Sequence, residues 1–360
     1  MNVHQIPSLD GMRAISVLIV LFSHMALDHL IPGGFGVTVF FFLSGYLITT
    51  LMRAEHDRTG GVSLRNFWLR RALRILPPFY LVLAGAVAIG IAQTPEPMST
   101  AALTAQALHA TNYWIVFRGF DELAPGTAVY WSLAVEEHFY LLFPLLYIAF
   151  RRHGLAGRSQ ALLLWGLCAA VLVWRIVLIG ALGATDDRTY HATDTRIDSI
   201  LFGCALAVWH NPALDGGPAR ERLWKFGLLP AALILLLVCF VYRDSFFRET
   251  FRYTLQGVAL TGVFIAAIRF HDWLPFRFLN WRPVAFIGVL SYPLYLVHYP
   301  LIQMMDRAFP DWPPVPRYAL AGLLAFIVSF AIHVVVEKPC ARLRKQLSIA
   351  RVGSAGYRVA

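Results

Sequence analysis

Charged residues are scarce in this sequence. They make up 14% of its 360 residues, whereas a soluble domain of this length would carry roughly a quarter. Hydrophobic residues make up 58%, and apolar stretches near the ~20 residues needed to cross a bilayer core recur along the chain. This composition excludes an ordinary soluble enzyme, and the recurring stretches leave no room for a separate soluble domain.

Paired cysteines and a removable leader are also missing. The four cysteines are scattered, and no Cys-x-x-Cys pair occurs, which argues against a disulfide framework or a zinc site. Three of them lie inside apolar stretches and are predicted to be small core residues. The N-terminus lacks a basic region and a cleavage site after the first apolar run, so we expect no removed signal peptide. The cysteines are Cys168, Cys204, Cys239 and Cys340.

The apolar stretches predict an all-α integral membrane protein, a single bundle of about ten transmembrane helices. An even number of spans puts both termini on the same side. We expect one membrane domain over 1–337 and a basic tail over 338–360. The predicted spans are 9–28, 35–52, 76–92, 129–150, 160–180, 194–210, 226–242, 253–269, 284–304 and 317–336.

Basic residues concentrate in alternate connecting segments. The arginine-rich set is 53–75, 151–159, 211–225, 270–283 and the tail from 337. By the positive-inside rule this set is cytoplasmic, which predicts cytoplasmic termini in a bacterial cytoplasmic membrane. The long segment 93–128 then lies outside, where we expect it to cover the outer mouth of the bundle. Because the net charge of +10 follows this pattern, it indicates a lipid bilayer as partner and not nucleic acid.

Ionisable side chains inside predicted spans are costly and usually mark function. Arg13 and His24 are eleven residues apart on the first span, and at about 100° per residue they return to one helical face, about three turns apart. Both can therefore line one groove. The full set is Arg13, His24, Glu136, Glu137, His138, Arg175, Asp194, Arg196, Asp198 and His298.

The direction of each span predicts a site with two levels. Arg70, Arg71 and Arg74 lie at the cytoplasmic surface, where arginine forks suit the phosphates of a cytosolic donor. His24 and its carboxylate neighbours lie in the outer half, with the groups that deprotonate a hydroxyl.

These levels divide the candidate residues into three roles. We predict Arg13, His24, Glu136 and Glu137 as catalytic, and Arg70, Arg71 and Arg74 as donor-binding. No metal site is predicted. The predicted substrate-binding residues are Trp131, Arg175, Asp194, Arg196, Asp198, Tyr295 and His298.

Structural roles compete with these assignments. The three donor-side arginines could serve only as topology anchors, and Asp10 could only cap the first helix. Either Glu136 or Glu137 could be the ion-pair partner of Arg175 or Arg196. His138 receives no role.

Seven motifs, in order, resemble the acyltransferase 3 family of membrane acyltransferases over almost the whole chain. That family includes O-antigen and capsule O-acetyltransferases, nodulation-factor acetyltransferases and macrolide acyltransferases. The motifs are SLDGMRAISVLIVLFSHM, GGFGVTVFFFLSGYLIT, FWLRRALRILPPFY, YWSLAVEEHFYLLFPLL, TDTRIDSILFG, SYPLYLVHYPLI and VEKP.

The resemblance implies an acyl-CoA donor, usually acetyl-CoA, used from the cytoplasm and no permanently bound cofactor. It implies that His24 is the key catalytic residue and that Arg13, Arg71 and Arg74 are needed for activity. Many members carry a histidine shortly before the Trp-Ser-Leu signature, but this chain has TAVYWSL at that point. Many members also have glutamine where this chain has His138. These departures leave the acceptor side open.

We therefore expect an O-acyltransferase that acts on a hydroxyl of a cell-envelope polysaccharide or its lipid-linked precursor. Since the chain ends soon after VEKP, we expect it to pass the acyl group to the acceptor directly or to a separate envelope protein. One alternative is an enzyme that tailors a small secondary metabolite such as a macrolide. The alternative from another class is a transporter, which the lack of internal repeats disfavours.

Overall fold

Helices form every regular element of the described residues, and no strand occurs among them. The structure is a computed structural model, and it describes residues 6–27, 31–93, 98–216 and 220–355. The α-helices in those ranges are α1 Leu9–Phe22, α2 Gly33–Thr59, α3 Leu64–Gln93, α4 Thr100–Ala107, α5 Thr111–Arg118, α6 Trp131–Arg152, α7 Gly157–Gly180, α8 Asp186–His191, α9 Thr193–Val208, α10 Glu221–Leu223, α11 Leu229–Val241, α12 Ser245–Glu249, α13 Phe251–Arg269, α14 Leu274–Arg277, α15 Arg282–Val289, α16 Ser291–Ala308, α17 Pro314–Ile332 and α18 Lys338–Ala355. Short π-helical turns are Ser23–Leu27, Trp224–Leu228 and His333–Glu337, and 3-10 turns are Thr127–Tyr130 and Phe278–Asn280.

Several of these helices are long and apolar enough to cross a membrane, which confirms the integral membrane class. Within the described ranges there are seven, or eight if the bent pair α15–α16 forms one span. The predicted spans 9–28 and 194–210 fall on α1 and α9, which have 14 and 16 residues and are shorter than the ~20 of a full crossing. The count of ten and the side of the termini stay predictions. Residue 28 lies outside the described residues.

The predicted span 284–304 is not one straight helix. It consists of α15 and α16, which meet at a bend of 67°. Pro293, three residues beyond the break, has no N–H to donate to the carbonyl of Val289, so the hydrogen-bond ladder cannot run through this point. As a result α15 packs on α1 while α16 turns into the bundle.

Helices α2 and α9 form the centre of the bundle. Their contact is the most extensive between any two helices of the described chain. A Cβ at Gly45 would lie 2.0 Å from the carbonyl oxygen of Ile200, and one at Gly203 would lie 2.1 Å from that of Phe42. Small residues allow membrane helices to approach this closely, so these two glycines fix the spacing of the central pair.

The outer helices present apolar side chains to the surroundings. The apolar stretch of α2 is 72% buried inside the protein, whereas those of α7, α11 and α17 are only 22% buried. Exposed leucines and valines on these helices would be unfavourable in water and are suited to lipid.

The segment predicted as a basic tail continues as helix. Helix α17, a π-helical turn and α18 run on without a break, and α18 packs against α3. The expected boundary near residue 337 therefore falls inside a helical segment, and only 356–360 of the tail lie outside the described residues.

Candidate active site

Two neighbouring cavities contain most of the predicted site residues. The first, here called the arginine cavity, has a volume of about 90 Å³ and is lined by Arg13, Arg71, Arg74, Glu136 and Glu137. The second, here called the histidine cavity, has a volume of about 760 Å³ and is lined by His24, Trp131, Tyr190, His191, Tyr253 and Tyr299, among others. The sequence predicted one groove with two levels, and the structure has two separate compartments.

The arginine cavity carries cations from two helices. Helix α3 supplies Arg71 and Arg74, one turn apart, and α1 supplies Arg13. Arg13 is bonded to Asp10 at 2.9 Å, while the Arg71 guanidinium lies 5.6 Å from the centre of the Tyr140 ring. Neither Arg71 nor Arg74 has an ion pair among the described residues. Two guanidinium groups are therefore available to an anionic ligand.

The two glutamates of the same cavity differ in their partners. Glu136 accepts hydrogen bonds from the Ser44 hydroxyl at 2.8 Å and the Tyr140 hydroxyl at 3.1 Å. Glu137 Oε1 is buried and has no hydrogen-bond partner within the described chain. Glu136 is thus part of the scaffold, and Glu137 has an oxygen available for a ligand.

A further arginine approaches the arginine cavity from a direction that the sequence does not indicate. Arg344 of α18 lies near enough for its charge to act on Arg70 and Arg74. Arg70 itself bonds Glu55 at 2.8 Å and is not part of the cavity lining. No local motif marks Arg344, because its position depends on how α18 packs against α3.

His24 is positioned by the π-helical turn that follows α1. Its Nδ1 donates to the carbonyl oxygen of Val20 at 2.8 Å. Since a carbonyl can only accept, this contact puts the proton of the neutral ring on Nδ1 and leaves the lone pair on Nε2. The Tyr299 ring lies 4.6 Å from the His24 ring.

His298 lies behind His24 and does not line either cavity. The two rings are 5.2 Å apart, centre to centre. His298 is fully buried and donates from Nδ1 to the Tyr295 carbonyl at 2.7 Å, while its Nε2 has no partner among the described residues. It therefore supports His24 and is not placed to contact substrate directly.

An aromatic wall lines part of the histidine cavity. Trp131, Tyr190 and Tyr253 form this wall. The fully buried Arg196 lies behind these rings, with its guanidinium 4.0 Å from the centre of the Tyr253 ring and 5.4 Å from that of Trp131. A buried cation surrounded by ring faces is stabilised by cation–π attraction, so Arg196 holds the wall together without lining the cavity.

His191 is a second histidine of this cavity that the sequence reasoning missed. It ends α8, and its Nδ1 donates to the carbonyl oxygen of Asp187 at 3.0 Å. Burial lowers the pKa of His191 to about 4, and the charge of Arg196 acts in the same direction against that hydrogen bond. The imidazole is therefore neutral near pH 7. The only sequence feature that could have pointed to His191 is its position directly after the polar run Asp-Asp-Arg-Thr-Tyr.

Three residues predicted to bind substrate are occupied by other parts of the protein. Arg175 and Asp198 are fully buried and bond to each other at 2.8 Å, with Thr254 bonded to both. Asp194 pairs with Arg188 and accepts from Trp174 Nε1 at 2.7 Å. None of the three lines either cavity. Arg175 and Asp198 are buried, and buried charges in a membrane bundle must satisfy each other.

The two arginines predicted as ion-pair partners of Glu136 and Glu137 contact other residues instead. Arg175 pairs with Asp198, and Arg196 packs on aromatic rings, so neither is the counterion of Glu136 or Glu137. Both glutamates line the arginine cavity and His24 lines the other one. The sequence placed the glutamates and His24 at one level because the depth of each residue was counted along straight, parallel spans.

Comparison with known proteins gives one family and several relatives. The model of the acyltransferase domain family Acyl_transf_3 matches residues 6–334. Peptidoglycan O-acetyltransferase OatA of Listeria monocytogenes is 31% identical over 349 residues, which is 93% of this chain and 55% of the relative. The putative peptidoglycan O-acetyltransferase YrhL of Bacillus subtilis is 32% identical over 93% of this chain and 54% of its own length.

A third relative extends the same pattern. O-acetyltransferase OatA of Staphylococcus aureus is 31% identical over 93% of this chain and 57% of its own length. The chain thus spans little more than half the length of these relatives. No solved structure matches it.

Proposed function

Since this chain belongs to the acyltransferase 3 family and is an O-acyltransferase, we propose that it moves an acetyl group from acetyl-CoA to a hydroxyl of peptidoglycan, another cell-envelope polysaccharide or a lipid-linked precursor. The observation that carries the proposal is the adjacency of a cationic cavity and a histidine-containing aromatic cavity. The family decides against the transporter hypothesis. Nothing in the described residues favours a small secondary metabolite as acceptor.

The donor assignment is based on the charge and the size of the arginine cavity. Coenzyme A carries phosphates at one end and a slender arm with the thioester at the other. Arg71 and Arg74 lack ion-pair partners in the described chain, and Arg344 adds positive charge nearby. These arginines suit the phosphates because guanidinium groups bind phosphate oxygens in a bidentate manner. A volume of about 90 Å³ has room for several waters, since one water needs ~10–15 Å³ of such space, so a slender group such as the acyl arm can enter.

The acceptor assignment follows from the lining of the histidine cavity. Its volume of about 760 Å³ is within the usual range of ligand pockets, ~300–1,000 Å³. Trp131, Tyr190 and Tyr253 offer ring faces, and Asp186 and Arg243 add polar groups able to bond hydroxyls. Phe120, in the segment expected to cover the outer mouth, also lines this cavity. Ring faces combined with acceptors and donors suit a sugar.

His24 supplies the base in this proposal. Its Nε2 takes the proton of the acceptor hydroxyl while that oxygen attacks the thioester carbonyl carbon; the new C–O bond forms and the C–S bond breaks. The proton then passes to the leaving thiolate, so free coenzyme A and an O-acyl ester are the products. The Tyr299 ring, 4.6 Å from His24, stabilises the transient imidazolium through its π face.

The membrane arrangement belongs to the same proposal. We infer about ten spans, both termini in the cytoplasm and a location in the bacterial cytoplasmic membrane, because arginines concentrate on one side. The donor then enters from the cytosol, and the acceptor is reached from outside, directly or through a separate envelope protein.

Coenzyme A binding tests the donor assignment. Arg71→Ala combined with Arg74→Ala should weaken binding by at least tenfold, because two charge-assisted contacts to phosphate are lost. The measurement is calorimetric titration of detergent-solubilised protein with coenzyme A. Arg65→Ala is the control, since Arg65 is an exposed arginine of the same helix and does not line the cavity. Equal affinity of the double variant and the control would reduce Arg71 and Arg74 to topology anchors.

A further inference from the structure

Two side chains separate the arginine cavity from the histidine cavity. Val37 of α2 and Tyr295 of α16 line both, and they are the only described residues that do so. Around them, Ser132 lines only the arginine cavity, while Val129 and Trp131 line only the histidine cavity. The boundary between the two compartments therefore runs through Val37 and Tyr295.

The Tyr295 ring is fixed at this boundary by its hydroxyl. The hydroxyl donates to the carbonyl oxygen of Val129 at 2.8 Å and lies 2.6 Å from the Ser132 hydroxyl. The Ser132 hydroxyl also lies 3.3 Å from the Val129 carbonyl oxygen, so either hydroxyl can donate in the bond between them. Tyr295 is only 5% exposed, so both bonds lie in a low-dielectric environment where they are strong.

Val37 is equally constrained on the opposite side of the boundary. It is buried in α2, the most enclosed of the candidate spans. A β-branched residue in a helix is restricted to essentially one rotamer. The neighbouring Gly36 packs so closely on α1 that a Cβ there would lie 2.7 Å from the carbonyl oxygen of Ser16. The Val37 methyl groups therefore cannot retreat by a shift of the helix.

These observations define a narrow passage for the transferred group. If the proposed function holds, on which this inference rests, the acyl carbon starts in the arginine cavity and meets the acceptor oxygen beside His24 in the histidine cavity. The group must then lie between Val37 and Tyr295 when the C–S bond breaks and the C–O bond forms. We propose that Val37 and Tyr295 are the acyl-size filter of this enzyme, which admits acetyl and rejects longer acyl chains.

The filter acts by steric exclusion at a rigid site. Each extra methylene of the acyl chain has to displace the Val37 methyl groups or break the two hydrogen bonds of Tyr295. In a well-packed site such overcrowding is unfavourable. The filter requires that an acetyl group pass with neither change.

Acyl-chain selectivity is the direct test. Butyryl is two methylenes longer than acetyl, so Val37→Ala should raise the ratio of butyryl to acetyl transfer by at least about tenfold, the lower end of the discrimination that a single methylene gives in an apolar pocket. Transfer from acetyl-CoA, propionyl-CoA and butyryl-CoA to a glycan acceptor would be measured on the full chain in proteoliposomes. The control is Val39→Ala, because Val39 is a buried valine of the same helix that lines neither cavity. The ratio is independent of how much protein folds.

Tyr295, the other residue of the filter, is tested with its own variant and a matched control. Tyr295→Phe keeps the ring and removes both hydrogen bonds, so it should also raise the butyryl-to-acetyl ratio. Tyr130→Phe removes a buried hydroxyl bonded to the Leu296 carbonyl and lines neither cavity, so it should not.

Two outcomes would overturn the filter. A selectivity ratio that shifts no more in Val37→Ala and Tyr295→Phe than in their controls, with normal acetyl transfer by the wild type, would overturn the filter alone. Absence of transfer from any acyl-CoA by the wild type would instead contradict the proposed donor and remove the filter with it.

Discussion

At the scale of single residues, the site consists of polar groups whose partners define what remains available for chemistry. His24 Nδ1 is committed to the Val20 carbonyl, which leaves Nε2 as the basic atom. Arg71 and Arg74 form no ion pair in the described chain, whereas Arg175 and Asp198 bond to each other and to Thr254. Arg71 and Arg74 therefore mark the site, and the Arg175–Asp198 pair stabilises the bundle.

The Glu136 and Glu137 side chains should respond differently to the same substitution. The Glu136 carboxylate accepts one hydrogen bond at each oxygen, from the Ser44 and Tyr140 hydroxyls. The amide of Glu136→Gln can accept at only one end, so one hydroxyl loses its acceptor at a cost of ~1–3 kcal/mol. It should lower the thermal stability of the purified protein. Glu137→Gln disturbs no such network, and we expect normal stability with acetyl transfer reduced at least tenfold. The measurements are melting temperature and transfer rate for the two variants side by side; normal transfer by Glu137→Gln would remove it from the catalytic set.

What the sequence predicted at this scale depended on local geometry. The spacing of eleven residues put Arg13 and His24 on one helical face lining one groove, but His24 lies in the π-helical turn after α1 and the two side chains line different cavities. Trp131 and Tyr295 line the histidine cavity, and their role in substrate binding stays a prediction. Contacts between helices were not predictable: the pairing of Arg175 with Asp198 and the approach of Arg344 both depend on packing that no local spacing encodes.

At the scale of elements, short helices and irregular turns position the reactive groups. The π-helical turn after α1 presents His24, and the six-residue α8 presents His191 to the same cavity. The sequence predicted the long apolar helices well because each is a continuous run. It missed the bend between α15 and α16, because the consequence of Pro293 depends on the packing of α15 against α1.

The stability of the α8 region should depend on pH. Burial lowers the pKa of His191 to about 4 in the folded protein, against ~6.5 for an unfolded histidine. Between these values the unfolded state binds more protons, so stability falls as the pH drops from about 6.5 to about 4. Burial lowers the pKa of His109 to about 4 as well, so His191→Gln should reduce this dependence without abolishing it.

The measurement is the melting temperature in detergent between pH 4 and pH 7. His153→Gln is the matched control, because His153 is exposed on the turn after α6. An identical slope for wild type and His191→Gln would contradict the assignment of a buried neutral imidazole.

At the scale of the whole molecule, the distribution of arginine is the basis for the proposed orientation in the membrane. The composition was sufficient to predict an all-helical membrane protein, and the motifs were sufficient to predict the family, which the match over 6–334 confirms. The separation into two cavities was not predictable, since it depends on two side chains, Val37 and Tyr295, at a junction of α2, α6 and α16.

Sidedness should follow the positive-inside rule. Reporters fused at residue 1 and residue 360, both outside the described residues, should read cytoplasmic, and a reporter in the segment 93–128 should read external. Paired phosphatase and fluorescent-protein fusions in cells would measure this. An external C-terminus alone would mean an odd number of spans, and an external N-terminus would put the arginine cavity on the wrong side for a cytosolic donor.

The central claim is that an acetyl group passes from acetyl-CoA in the arginine cavity to a hydroxyl beside His24. The most direct test is transfer of radiolabelled acetyl from acetyl-CoA to a glycan acceptor by purified protein in proteoliposomes, comparing wild type, His24→Ala and His138→Ala. His138 bonds Thr193 at 2.7 Å and lines neither cavity, so it controls for loss of a membrane-embedded histidine. We predict that His24→Ala lowers transfer at least ~100-fold, as for loss of a general base, with unchanged coenzyme A affinity. Transfer by His24→Ala at the rate of His138→Ala would contradict the account.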